Sequence, residues 1–319
     1  MRKNSFYIIS PAIASFFLFI VIITGCKNSP TGPYPLNSTS SDEMILQKIA
    51  DADSAVATFE PNYNEEDVMS VMGKVQANIY PFRVWQRVRL VSRDFNVNIV
   101  GDSAFATYTR NFEGVLFIVA SYDSTSSHPD TLIRKPFLST ITGKLIFHKR
   151  INVHDSTGGW RLSAVSLPEG GTAVSHIKIK KITVFYSNGD SLVVASPGNY
   201  FLSRGKGGRG RWKGIPRIHR NRSITVKLEL TGAYADTDFV TLTHGGNMHG
   251  INRSKAKFNL VSSTPEGNGY YKVYQLTFET HRWGGFSFAV INVFPHQVIY
   301  DDSVAVESNT WGIPYFVHY

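Results

Sequence analysis

Beyond Val84 the apolar residues of this chain recur at every second position, and no other feature constrains the fold as tightly. Phe95, Val97 and Ile99 alternate with Asn96 and Asn98, and Ile224, Val226, Leu228 and Leu230 alternate with Thr225, Lys227 and Glu229. Successive side chains of a strand point to opposite faces, so each such run predicts a half-buried β-strand. Turn residues punctuate the runs. Gly101-Asp102 leads into a strand over 104–110, and the polar loop 123–130 separates a further pair. Leu145, Phe147, Ile151 and Val153 mark a long strand that Gly158-Gly159 turns back into 160–167. Asn188-Gly189, after the alternating run 176–186 with Ile177, Ile179 and Ile182, is the strongest short hairpin signal in the chain. Strands follow at 239–243, at 257–261 and, past a turn at 265–269, at 270–279. The run 286–294 is apolar on both faces and suits a central strand.

Helical spacing is confined to the part before Val84. Ser40-Ser41-Asp42-Glu43 reads as a capping box. Ile45, Ile49, Ala52, Val56 and Phe59 then form one apolar stripe, stopped by Glu60-Pro61. Asn64-Glu65-Glu66-Asp67 offers a second cap, with Val68, Met69, Val71 and Met72 supplying a short helix. Two helices followed by a meander over 42–168 is an α+β order. Pro168-Glu169-Gly170-Gly171 marks a seam, and short strands over 169–319 predict an all-β sandwich. The chain's 319 residues suffice for two domains, and 42% hydrophobic with 18% charged residues excludes disorder, collagen and coiled coil.

The first half resembles the NTF2-like (SnoaL-like, cystatin-like) family, a cone of helices on a bent antiparallel sheet. The resemblance rests on the strand, Gly-Asp, strand phrase over 95–110 and on the closing hairpin over 151–167 with Trp160. It implies a pocket in which Tyr108, His148, His154 or Asp155 would transfer protons. By alternation His148 falls on the solvent face, and His154-Asp155 lies beside the Gly158-Gly159 turn, so no two of these residues are tied to one cavity. The second half resembles immunoglobulin-like or fibronectin-type envelope domains, without the paired cysteines of true immunoglobulin domains.

The N-terminus supplies an address. Met1-Arg2-Lys3 and an apolar run from Phe6 to Ile23 have a signal-peptide layout. Ile23-Thr24-Gly25-Cys26 resembles the lipobox of bacterial lipoproteins, and Cys26 is the only cysteine in the chain. The resemblance implies a leader over 1–25, removed after lipid attachment to Cys26, and a permanent anchor, since buried acyl chains contribute about 0.8 kcal/mol per CH₂. The competing assignment is an uncleaved membrane helix, against which Pro11 and the lipobox both stand. Lys27, where enterobacterial lipoproteins retained in the inner membrane carry Asp, points to the outer membrane. Residues 27–41, rich in Pro, Gly and hydroxyls, form a tether following the lipidated cysteine.

Charge is concentrated in one place. Arg204, Lys206, Arg209, Arg211, Lys213, Arg217, Arg220 and Arg222 fall within 204–222 without an acid among them. Setting aside these eight and the two leader cations, the remaining 23 nearly balance the 24 acids, although the formal net charge is +9. A glycine-rich basic arm carrying Trp212 suits phosphate neutralisation and stacking. Behind a lipobox the reachable polyanions are lipopolysaccharide, anionic lipid and acidic glycan, rather than nucleic acid. A solvated loop without a dedicated ligand is the alternative.

Other constellations are weaker. His244 and His249 flank a Gly-Gly-Asn-Met loop and could share a metal with His219, His281 or His296, but a hairpin loop explains them as well. Asp301, Asp302 and Glu307 lack the spacing of a calcium loop. Trp311-Gly312-Ile313-Pro314-Tyr315 suits either a glycan platform or, more simply, the closing of a sandwich core. No phosphate-binding glycine loop, nucleophile elbow or zinc-protease motif occurs. The sequence thus predicts a non-catalytic, lipid-anchored envelope protein, without metal or cofactor, that binds a protein partner or an anionic envelope polymer. An enzyme or small-ligand carrier using an NTF2-like pocket is the second reading, and a structural spacer or assembly subunit the third.

Overall fold

The computed structural model describes residues 41–53, 56, 59, 69–70, 78–150, 156–186, 189–204, 212–215, 217–245, 253–281 and 284–318. The strand period predicted from Val84 dominates them. Three long strands open the structure as a meander: β2 (Tyr80–Val100), β3 (Ser103–Ser121) and β4 (Thr131–Lys149). They are preceded by helix α1 (Ser41–Ala52) and the two-residue β1 (Met69–Ser70).

The chain continues through β5 (Trp160–Ser166), β6 (Glu169–Gly171), β7 (Ile177–Phe185), β8 (Ser191–Val194), β9 (Phe201–Arg204), β10 (Trp212–Lys213) and β11 (Arg217–His219). It ends with β12 (Ser223–Gly232), β13 (Phe239–Gly245), β14 (Arg253–Lys257), β15 (Asn259–Glu266), β16 (Gly269–Glu279), β17 (Gly285–Phe294), the short helix α2 (His296–Tyr300) and β18 (Asn309–His318).

The strands form two sheets. One runs β15-β16-β12-β7-β8. The other, of 13 strands, follows the path β1-β2-β3-β4-β6-β18-β17-β13-β14, with β5, β9, β10 and β11 branching from it. All pairings are antiparallel except that of β11 with β18. The five-stranded sheet packs on one face of β13, β17 and β18, giving a sandwich core that includes Ile182, Ile224, Leu228, Leu242, Ile291 and Trp311. Ala289, Ile291 and Val293 of β17 enter that core, whereas Phe288, Val290 and Phe294 enter cores shared with the meander. This double burial is why β17 is apolar on both faces.

The meander buries one face along three successive pads. Leu46 and Ala50 of α1, with Trp160 and Leu162 of β5, cover Ala104, Ala106 and Phe147. Phe59, Phe288 and Val290 cover Phe112 and Ile141, and the rings of Phe59 and Phe288 meet edge to face at 5.3 Å. Phe239, Phe294, Val298 and Ile299 cover Val84, Leu116 and Ile118. Two cations are buried on this face. Arg110 donates to the Phe59 carbonyl at 2.8 Å and to that of Val56. Lys135 donates to the carbonyls of Val298 at 2.8 Å, Val304 at 2.9 Å and Asp301.

This architecture corrects the α+β NTF2-like domain followed by an immunoglobulin-like domain. The fold is all-β and sandwich-like, and one sheet draws strands from both halves of the chain. The joining element is β6, at the residues whose turn chemistry suggested a seam. It pairs with β4 through Thr140–Thr142 on one side and with β18 through Asn309–Trp311 on the other. A β-carbon on Gly170 would stand 1.8 Å from the Thr140 carbonyl oxygen, and one on Gly171 (φ +145°) 2.1 Å from that of Ser308. The glycines are there for close backbone approach rather than for a turn.

Two smaller points concern the segment before β2. Met69, expected in a short helix, pairs with Val84 at the edge of β2, whose backbone groups would otherwise lack sheet partners on that side. Helix α1 ends at Ala52, Asp53 turns its carboxylate to Arg204, and Val56 on the predicted stripe is again helical, while the predicted stop at Glu60 lies outside the described residues.

Candidate anion-binding site

The lipobox and Cys26 lie outside the described residues, as do Lys206, Arg209 and Arg211 of the basic segment. The remaining five cations fall into two groups. The Arg204 guanidinium pairs with the Asp53 carboxylate, whose side chain is only 3% exposed, and lies 4.9 Å over the Trp212 ring. Arg204 therefore clamps the end of β9 to the end of α1, and its charge is already answered.

Lys213, Arg217, Arg220 and Arg222 are exposed. Lys213 sits on β10 opposite Ser203. Arg217 lies opposite Phe316 of β18, with its guanidinium 5.5 Å over that ring. The following turn has Asn221 at φ +51°, a conformation that asparagine tolerates. Thr280 pins it: the Thr280 N–H donates to the Arg222 carbonyl at 2.9 Å, the Thr280 hydroxyl to the His219 carbonyl at 2.8 Å, and the Arg222 N–H to the Thr280 hydroxyl at 3.0 Å. His219 and His318, opposite one another, bring their rings to 4.0 Å. Among the described residues no ion pair engages Lys213, Arg217 or Arg222. The segment 217–222 thus carries exposed like charges on a fixed turn, which raises the local concentration of anions.

The histidines of the metal reading are dispersed. His244, on β13, packs 4.2 Å from the Phe278 ring. Burial, and secondarily the neighbouring His281, push its pKa down to about 4. His281 lies 5.8 Å from the Tyr315 ring, and the Tyr315 hydroxyl accepts the Gly245 N–H at 2.7 Å. His296 stacks on Tyr300 in α2, and His249 is outside the described residues. Among the described residues no three metal-ligating side chains converge. The sandwich core holds a partly open apolar pocket of about 30 Å³, lined by residues such as Val184, Ile218, Leu242, Ile313 and Tyr315. That is room for about one water molecule.

The proton-transfer candidates do not share a pocket. Tyr108 is buried beneath α1 with its ring against Gly143, and burial, partly offset by Arg110, pushes its pKa up to about 12. His148 is exposed, at 3.1 Å from the Ser103 hydroxyl, while His154 and Asp155 are outside the described residues. The carboxylates considered for calcium have separate partners. Asp301 accepts from Ser303 and Asn78, Asp302 accepts from Tyr122, and Glu307 holds His176. Trp311, Ile313 and Tyr315 are buried in the sandwich core.

Comparison with known proteins finds no matching family model and no matching curated relative. Among the described residues no helix is long and apolar enough to cross a membrane.

Proposed function

We propose that the chain is a non-catalytic lipoprotein of a bacterial envelope, acylated at Cys26, tethered through residues 27–40 to the outer membrane, that binds an anionic envelope polymer through the exposed cations of its sandwich. The lipobox supports the anchor. The observation that carries the binding role is the turn pinned by Thr280, which follows exposed Arg217 and holds Arg220 and Arg222 exposed. Acidic glycan and the phosphorylated sugars of lipopolysaccharide have the charge density such a site takes.

Two measurements test this reading. Mass spectrometry of the mature chain should find diacylglyceryl-modified Cys26 as the first residue, and a bare thiol or another start would remove the anchor. On immobilised heparin, replacing Lys213, Arg217 and Arg222 by Gln should lower the slope of log affinity against log salt by about one per cation removed. Retention unchanged by all three substitutions would reject the site.

A further inference from the structure

The outer face of the meander is the other surface with a pronounced chemistry. Across its three strands, side chains on that face line up in rows: Arg83, Val119 and Leu132; Trp85, Phe117 and Arg134; Arg87, Val115 and Pro136; Arg89, Glu113 and Leu138. Every row holds an arginine and at least one apolar side chain. Trp85 and Phe117 stack at 5.1 Å with their planes 7° apart, and Arg87 lies 5.8 Å from the Phe117 ring. Leu138 is 73% exposed and Leu132 43%. Glu113, the one acid in these rows, is bonded to Arg89. Between the last two rows runs an open trough of about 690 Å³, with the backbone at Gly114 in its floor and Arg87, Arg89, Pro136 and Leu138 along its walls.

An inner face with this much apolar surface is covered by α1, Phe59, β17 and α2; among the described residues nothing covers the outer one. Exposed leucines distinguish it from the cationic segment 217–222, where the side chains on offer are charged. A dissolved polyanion would satisfy the arginines and leave Leu132 and Leu138 in water. A bilayer surface satisfies both, because its phosphates face the guanidinium groups while its acyl boundary takes leucine and the aromatic pair.

We infer that this face lies on an anionic phospholipid surface, with the headgroup phosphates held by Arg83, Arg87 and Arg134. The inference rests on the lipid-anchored reading for its setting.

The test uses the full chain carrying Leu138→Cys with an environment-sensitive dye, reconstituted on vesicles of phosphatidylcholine alone or mixed with phosphatidylglycerol. On the mixed vesicles the dye should shift to the blue, be quenched by spin-labelled lipid and return to its aqueous spectrum at high salt. Each Arg→Gln change at 83, 87 or 134 should weaken the vesicle-bound state about fivefold. Dye that stays in water on mixed vesicles overturns the inference, as does an equal shift on adding heparin without lipid. Flotation keeps the two readings apart. A chain that floats with neutral vesicles while its dye stays wet on anionic ones retains the anchor and loses the face. A chain that floats only with anionic vesicles, its dye dry, keeps the face and loses the anchor.

Discussion

His244 leaves the sandwich core against Phe278, 6% exposed, and what holds it neutral is the cost of taking a charge into that site. Burial pushes its pKa down to about 4, from the 6.5 usual for histidine. Above pH 6.5 both states are neutral there and the native state keeps its full stability. As the pH falls from about 6.5 to about 4 the unfolded chain binds a proton that the native state refuses, so stability drops, by at most about 3 kcal/mol. Urea midpoints measured near neutrality and at about pH 4.5 should show that loss in the natural chain and a smaller one in His244→Phe. Equal losses in both would place the acid sensitivity elsewhere. At this scale the sequence shows some of the interior. Arg110 follows Ala104, Ala106 and Tyr108 at the same parity, and Lys135 stands between Ile133 and Phe137, so each is a cation in an inward register. Their acceptors, carbonyls at 56, 59, 298, 301 and 304, lie far off in the chain, and alternation does not reach them. Asp53, the partner that takes Arg204 out of the exposed cationic group, is likewise 151 residues away.

Where an element departs from strict alternation, the departure has a local cause. In β2 the inward set runs Val84, Gln86, Val88, Leu90 and then Arg93, Phe95, Val97, Ile99, because the register shifts between Leu90 and Ser92 and leaves Val91 57% exposed. In β7 Ile177 and Ile179 are followed by Ile182 and Val184, and the shift falls opposite Glu229 and Leu230. Both breaks are visible in the sequence once the strand is known. The residues of α1 are visible too, but the break after Ala52 is not, since helical spacing runs on unbroken through Val56, which is again helical, to Phe59. The helix holds through Leu46, fully buried in the core with Ala104, Phe147 and Trp160. Leu46→Ala should cost about 2–4 kcal/mol in urea unfolding. Met44→Ala, at a side chain 57% exposed on the same helix, is the control and should stay within about 0.5 kcal/mol. A Leu46→Ala cost as small as the control's would mean that α1 is not docked on the meander.

For the whole molecule, alternation says which face of a strand is buried but not which strand lies beside it. The order of helix followed by meander suggested a cone, whereas the cover on the meander comes mostly from strands and a helix near the other end of the chain, among them β17 and α2. The connection between the layers runs through the three residues of β6, and sheet continuity depends on the bare backbone there. Gly170→Ala would drive a methyl group to within 1.8 Å of the Thr140 carbonyl oxygen, so either β4 or β18 must part from β6. Parting removes ladder hydrogen bonds and opens the cores on both sides of β17, for a loss of at least about 3 kcal/mol. Gly267→Ala separates this collision from backbone strain, because Gly267 has φ +57° but open space around its missing side chain, and its cost should stay near 1–2 kcal/mol. Thermal unfolding followed by fluorescence and by far-ultraviolet circular dichroism should give one coincident transition for the natural chain and for Gly267→Ala, since β17 contributes to the cores on both of its faces. In Gly170→Ala the transition should fall far below either of these, or split into two. A Gly170→Ala chain as stable as Gly267→Ala, unfolding in one step, would show that the meander and the sandwich are not joined through β6.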